Sequence, residues 1–234
     1  MSDIISVGII FLSALAHAFL QLGLGSLLLL YHASLNKHVS KKTKTLVSSF
    51  ISGVGMIVLL GIAAACYALY SIFGDNNLPI ELLAALIGIV FSVAIIMWTI
   101  YYHRGKTTEL WIPKAVAKFI SSRAEVTNSN TEAFSLGLLA AFAEFPLSFA
   151  LILIAANSVL ELNYTVRNIA LVGYVFIVLL PLIITRLCIR KGKTIVDIQR
   201  WREANKTFLR IISGLLFVVL GVFLIAYRII GVPL

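Results

Sequence analysis

Charge is scarce in this chain. Only 12% of its 234 residues are charged while 60% are hydrophobic, against roughly one quarter charged in an ordinary soluble domain. A water-soluble fold of this length has too little polar surface to cover its exterior, which excludes a soluble enzyme. Disorder is excluded as well, because apolar residues run through the whole chain. Cysteine is equally sparse. Cys66 and Cys188 both fall inside apolar stretches, with no CxxC or Cys/His ligand spacing, so neither a disulfide framework nor a metal site is expected, and the thiols read as buried structural groups. The start Met1-Ser2-Asp3 has no basic region ahead of its apolar run, so the first segment reads as a permanent span and not as a removed signal peptide.

What is present is apolar sequence in blocks. Six segments stand out, at about 4–31, 45–73, 79–102, 133–160, 166–189 and 208–230. Each is long enough for the hydrocarbon core of a bilayer, which takes about 20 helical residues to cross. The runs are continuous and do not alternate with period two, which favours helices over a barrel. The expected fold is all-α: a polytopic membrane protein of six transmembrane helices.

The basic residues lie between these blocks. Lys37 to Lys44 occupy the first connection, Arg104 to Arg123 the third, and Arg186 to Arg210 the fifth and its borders, which accounts for all 19 except Arg167 and Arg228. The second connection, Gly74 to Pro79, and the fourth, Glu161 to Thr165, contain none. By the positive-inside rule the odd-numbered connections face the cytoplasm and both termini face outward, in a multi-pass protein of the cell membrane. The net charge of +9 is then mainly an orientation signal. Nucleic acid is not an expected partner, since that would need a basic face on a polar fold; anionic headgroups remain a competing use of the basic loops.

Two cytoplasmic stretches look structured. In Trp111 to Ile120, Ile112, Val116, Phe119 and Ile120 share one helical face and Lys114 and Lys118 another, with Pro113 near the first turn; this reads as a helix on the membrane surface, marked by Trp111, Lys114 and Lys118. Thr194 to Lys206 reads similarly, and the polar run Ser121 to Glu132 reads as a linker.

The two halves of the chain also match each other. Ala18 to Gly25 overlays Ala141 to Ser148 at an offset of 123, Leu59-Leu60-Gly61 overlays Leu179-Leu180-Pro181 at 120, and Gly88, Phe91 and Tyr101 overlay Gly214, Phe217 and Tyr227 at 126. Order and offset are nearly constant. With three spans per unit the second unit enters the membrane from the opposite side, giving inverted repeats over 1–110 and 133–234 joined by the surface helix and linker at 111–132. Such units suit alternating access, although duplication retained for assembly alone gives the same pattern.

Glu144 is the single acidic residue deep inside a span. An ionised carboxylate there costs about 2.5–3.5 kcal/mol on insertion scales, so it must face the bundle interior, hold a proton, or find a partner. Gly137, Ala141, Glu144 and Ser148 share a face of the fourth span, and Ser13, His17, Gln21 and Gly25 form a stripe on the first. The repeat makes Gln21 and Glu144 equivalent, with His17 one turn away. Glu144, His17 and Gln21 are the candidate substrate or ion-coupling residues, since a carboxylate with a switchable charge beside an imidazole and an amide suits a proton, a cation or an amino-bearing solute. The competing reading is an interhelical hydrogen-bond cluster. Gly23, Gly25, Pro146, Pro181 and Gly61 are candidate helix breaks or hinges. Asn157 reads as a cap or interface residue, Arg228 as a snorkelling side chain, and Trp98, Tyr101, Tyr102 and Tyr227 as interfacial belts.

The 3+3 layout, with equivalent helix-breaking points at Gly23 and Pro146, resembles the lysine-exporter superfamily and its CcdA-type relatives. Those relatives relay thiol reducing equivalents through a cysteine beside proline in the first and fourth spans. Here Gln21 and Glu144 occupy those neighbourhoods and the cysteines sit in spans 2 and 5, so the resemblance implies solute export more than thiol transfer. A retinal protein needs a seventh span and an intramembrane lysine, and no GxSG, HExxH, Walker or dinucleotide glycine motif occurs. Enzyme activity and a cofactor are therefore not expected. The expected function is a small secondary transporter or exporter of a solute or cation, coupled to protons or ions, with the lipid bilayer and a second copy in a homodimer as further partners. A non-transporting membrane assembly protein that recruits a partner is the alternative.

Overall fold

The computed structural model describes residues 3–24, 41–74, 79–103, 119, 122–123, 127, 129–190, 200–201 and 204–229. Among them the chain forms six helices and no strand: α1 (Asp3–Leu24), α2 (Lys41–Phe73), α3 (Ile80–His103), α4 (Asn130–Leu160), α5 (Tyr164–Arg190) and α6 (Lys206–Leu224), the last widening into π geometry over Ile225–Ile229. Four are long and apolar enough to cross a membrane, over Asp3–Gln21, Thr45–Phe73, Asn130–Leu160 and Tyr164–Cys188. Those of α3 and α6 are shorter, Leu82–Ile96 and Ile211–Tyr227.

Local chemistry sets the visible boundaries. Gly74 stands just past α2 at φ +62°, with its N–H donating to the Tyr70 carbonyl at 2.8 Å, a left-handed stop that suits glycine. Ser129 caps α4 by accepting the Glu132 N–H at 3.1 Å, and Arg123 pairs with Glu132 at 3.0 Å. This is half of a Ser-x-x-Glu capping box, and it starts the helix three residues inside the stretch expected to be linker. The other candidate surface elements, Trp111, Lys114 and Lys118 among them, lie outside the described residues, as do Gly25 and most of 194–206.

The expected helix breaks do not occur where the structure describes them. Gly23 is helical, in the last turn of α1, and α4 and α5 run unbroken through Pro146 and Pro181. A proline removes one main-chain hydrogen bond, and the remaining ladder holds both helices together. The turns after each proline are braced by side chains: Ser148 Oγ donates to the carbonyls of Glu144 and Phe145 at 3.4 and 3.3 Å, and Thr185 Oγ1 to that of Pro181 at 2.8 Å.

Packing defines the helix directions. Along α2, Gly53 meets Phe134 and Leu138, Gly61 meets Phe145 and Ile152, and Cys66 meets Ala156, so α2 and α4 run parallel. Asp3 meets Asn163 and His17 meets Tyr174, so α1 and α5 are parallel as well. Gly214 lies by Ala94 and Gly221 by Phe91, which makes α3 and α6 antiparallel. The turn 161–163 reverses the chain between α4 and α5. Further packed pairs are α1 with α4 and α6, α2 with α5, and α3 with α4. The core between them holds Ile9, Leu20, Ile62, Leu151, Ile154 and Phe217, all fully buried. The outward faces are apolar too: Phe11, Tyr67, Phe142, Ile169, Val172, Phe176 and Leu215 are each at least half exposed. Soluble proteins rarely show apolar patches beyond a few hundred Å², and lipid is the solvent that suits such a surface.

The closest packing is between backbones. A Cβ added at Gly53 would lie 2.2 Å from the Phe134 carbonyl oxygen, and one at Gly137 would lie 2.2 Å from that of Phe50. Gly173 has nothing within 4 Å. Gly137→Ala is therefore expected to destabilise the detergent-solubilised protein by about 1–3 kcal/mol. Gly173→Ala should leave it unchanged or raise it by up to about 1 kcal/mol, and thermal melts of the two variants side by side check both.

Candidate functional site

The polar stripe of α1 faces inward. Ser13, His17 and Gln21 are 0%, 3% and 2% exposed, and on α4 Glu144 and Ser148 are 3% and 2% exposed. Their four-residue spacing places them on one side of each helix, and the two helices pack together. Depth brings them level. Counting from the end of the bundle that holds Asp3 and Leu160, a rise of about 1.5 Å per residue sets His17 at about 21 Å, Glu144 at about 24 Å and Gln21 at about 27 Å. The three candidate coupling residues thus share one depth on two packed helices.

A fourth member was not legible in the sequence. Tyr174 of α5 is fully buried, and its hydroxyl lies 3.0 Å from His17 Nδ1, with ring centroids 6.0 Å apart and tilted at 56°. The bond fixes the imidazole against α5, so the cluster spans three helices. Which group donates depends on the histidine tautomer. The available signal was weak: a tyrosine with its polar tip in an otherwise apolar span needs a partner, but the chain has 8 tyrosines. Ser13 Oγ, one turn from His17, has no hydrogen-bond partner among the described residues.

The hinge candidates are distributed differently. Pro146 is exposed on the outer face of α4, two residues past Glu144, while Pro181 is buried in α5. Gly61 packs against Phe145 and Ile152 of α4, so it serves the α2–α4 contact. The two thiols are at opposite ends of the bundle. Cys66 reaches the Ala156 carbonyl at 3.8 Å, whereas Cys188 is two residues from the far end of α5; helix rise puts them about 30 Å apart along the axis. Direct exchange between them is excluded by that distance. Among the described residues no group of three or more His, Cys, Asp or Glu side chains could hold a metal ion.

A second polar cluster sits at the Asp3 end. Glu161, which follows the last residue of α4, accepts from Ser6 Oγ and from Asn157 Nδ2, each at 3.1 Å. Asn163 Nδ2 donates to Asp3 at 2.8 Å. Arg167 donates from Nε to the Leu162 carbonyl at 2.8 Å and from its terminal nitrogen to that of Leu160, bracing the turn between α4 and α5. Asn157 bonds four residues along its own chain, at the C-terminal end of α4; the Ser6–Glu161 and Asp3–Asn163 bonds join residues 155 and 160 positions apart, beyond the reach of any local pattern.

Chemically, the buried cluster combines one carboxyl, one imidazole, one amide and one phenol, a set able to take up or release a proton or to hold a small cation. Its stability is expected to depend on the His17–Tyr174 bond. Tyr174→Phe should cost about 1–3 kcal/mol by leaving the imidazole without that partner, read as a lower melting temperature in detergent. An unchanged melt would show that the bond contributes nothing net. No protein family, curated protein or solved structure matches the chain.

Proposed function

We propose that this chain is a small secondary transporter or exporter of a solute or cation, coupled to protons or ions, working by alternating access in the cell membrane. The observation that carries the reading is Glu144, a carboxyl buried at the middle of a helix long enough to cross a bilayer, level with His17 and Gln21 on the packed helix α1. Intramembrane carboxyls are costly and mark ion pathways or proton relays. In this reading Glu144 is the coupling group, and His17 and Gln21 complete the site.

The helix pairing supports two inverted three-helix units. Exchanging α1 with α4, α2 with α5 and α3 with α6 turns the α2–α4 pair into α5–α1 and the α1–α6 pair into α4–α3, and returns α1–α4, α2–α5 and α3–α6 to themselves; all of these pairs are packed. The helix directions agree with six crossings in alternating sense. They gather the helix ends that border the basic connections at one end, the cytoplasmic one by the positive-inside rule, with both termini outside. At the offsets of the sequence repeat, Gly53 corresponds to Gly173 and Gly137 to Ala14. Gly53 is in backbone contact while Gly173 is open, so equivalent interfaces are packed unequally. That inequality is what alternating access requires of inverted repeats. The architecture is also the basis for the resemblance to the lysine-exporter superfamily.

The burial of His17, Gln21 and Glu144 favours one competing reading, a non-transporting assembly protein in which the cluster only joins helices. Thiol labelling of cysteines placed at positions 17, 21 and 144, from either side of the membrane, separates the two: labelling from neither side favours the assembly protein. For the coupling role, Glu144→Gln is expected to abolish pH-gradient-driven transport in reconstituted vesicles while leaving the far-ultraviolet dichroism and the melt near wild type. Full transport by that variant would remove Glu144 from the mechanism.

A further inference from the structure

We infer that Glu161 is the latch of an extracytoplasmic gate whose moving part is the first two turns of α1, a role that rests on the transporter reading above. The latch is built from side chains on two separate elements. Ser6 of α1 and Asn157 of α4 both donate to the Glu161 carboxylate at 3.1 Å, and Asp3 of α1 accepts from Asn163 at 2.8 Å. One side of this seam is rigid, because Arg167 is bonded to the carbonyls of Leu160 and Leu162. The other side is the first two turns of α1, held to that turn by the Ser6 and Asp3 bonds. Below the seam lie Ser13, whose fully buried hydroxyl has no hydrogen-bond partner among the described residues, and then His17 and Glu144. Helix rise puts Ser13 about 10 Å beneath Ser6.

The two ends of the bundle differ in how they can open. At the Asp3 end the seam is made of side-chain hydrogen bonds whose partners return to water when they part, so each is worth little net free energy and exchanges readily. Toward the Asn130 end, α2 and α4 touch through backbone at Gly53 and Gly137, a contact with no such substitute. A path from outside to the buried cluster therefore opens by releasing α1 from Glu161.

The test uses the full chain in sealed vesicles, with Cys66→Ala and Cys188→Ala as background and Ser13→Cys as reporter. A membrane-impermeant methanethiosulfonate is added from the side of the N-terminus. Adding Glu161→Ala, which removes the Ser6 bond that crosses the seam, is expected to speed labelling about tenfold. Ser6→Ala, which removes the same bond across the seam and leaves the turn between α4 and α5 intact, should speed it by a similar factor. Equal labelling rates in reporter, Glu161→Ala and Ser6→Ala overturn the gate, as does no labelling in any of them or saturating labelling in the reporter alone. If a melt shows that Glu161→Ala does not fold, Ser6→Ala decides. Labelling is read without transport, so loss of the gate is distinct from loss of the coupling role, which the Glu144→Gln transport assay addresses.

Discussion

The contact between α2 and α4 at Gly53 and Gly137 sets the position of everything else. Within lipid there is no hydrophobic force between helices, because the surroundings are as apolar as the side chains, and association rests on close van der Waals packing and hydrogen bonds. Two glycines facing each other's backbones, where an added Cβ would meet a carbonyl oxygen at 2.2 Å, bring the axes closer than any side chain permits. That contact fixes the register of α4. Glu144 follows Gly137 by seven residues, two helical turns, and so lies on the same side of α4. With α4 locked against α2, the depth of Glu144 in the bundle is fixed, and α5 supplies Tyr174 as the partner of His17 on α1.

The polar cluster has to be argued against its surroundings. Each of Ser13, His17, Gln21, Glu144 and Tyr174 replaces a side chain that lipid-immersed helices accommodate more easily, and the rest of the core is aliphatic and aromatic. Glue alone needs fewer groups: a serine or an asparagine at one interface holds two helices. Here five buried polar side chains lie on three packed helices, at depths that helix rise sets between about 15 and 27 Å, and one of them is a carboxyl. On the proposed reading, these titratable groups form the ion pathway.

Much of the fold could be read from the chain because a single constraint acts on it. A helix that meets lipid must be apolar along its length, so the six blocks mark the helices to within a few residues wherever the structure describes both ends; the start of α4 at Asn130 shows what was missed, a Ser129 cap with Glu132 beside it. At Pro146 and Pro181, candidate breaks or hinges by composition, the helices stay continuous for a physical reason. One missing amide hydrogen bond does not interrupt a helix that is packed on several sides, and the serine and threonine beyond the prolines brace the next turn. The inward placement of Glu144 followed from the cost of a carboxyl in lipid, and the shared stripe of His17 and Gln21 from their spacing. Tyr174 and the Glu161 seam did not, because both depend on which helix becomes the neighbour of α1, and contacts between residues 157 or 155 positions apart leave no periodicity to read.

The divergence between the two halves carries a further consequence for the proposed mechanism. Inverted units of identical sequence would give two conformers of equal free energy, because exchanging the units exchanges the states. These units are not identical. Gln21 stands where its counterpart is Glu144, and Ala14 where its counterpart is Gly137. The first difference leaves a single carboxyl at the pseudo-symmetric site, so on that reading the cluster carries at most one acidic charge in either state, whichever side it faces. The second removes half of the glycine pair at the α1–α5 interface, where a methyl group now replaces the hydrogen that permits backbone contact. In the proposed two-state cycle, the interface at Gly173 then closes less tightly than its equivalent at Gly53, and the two states differ in free energy. Under the proposed mechanism, binding at the carboxyl shifts such an unequal pair only by as much as it favours one state over the other.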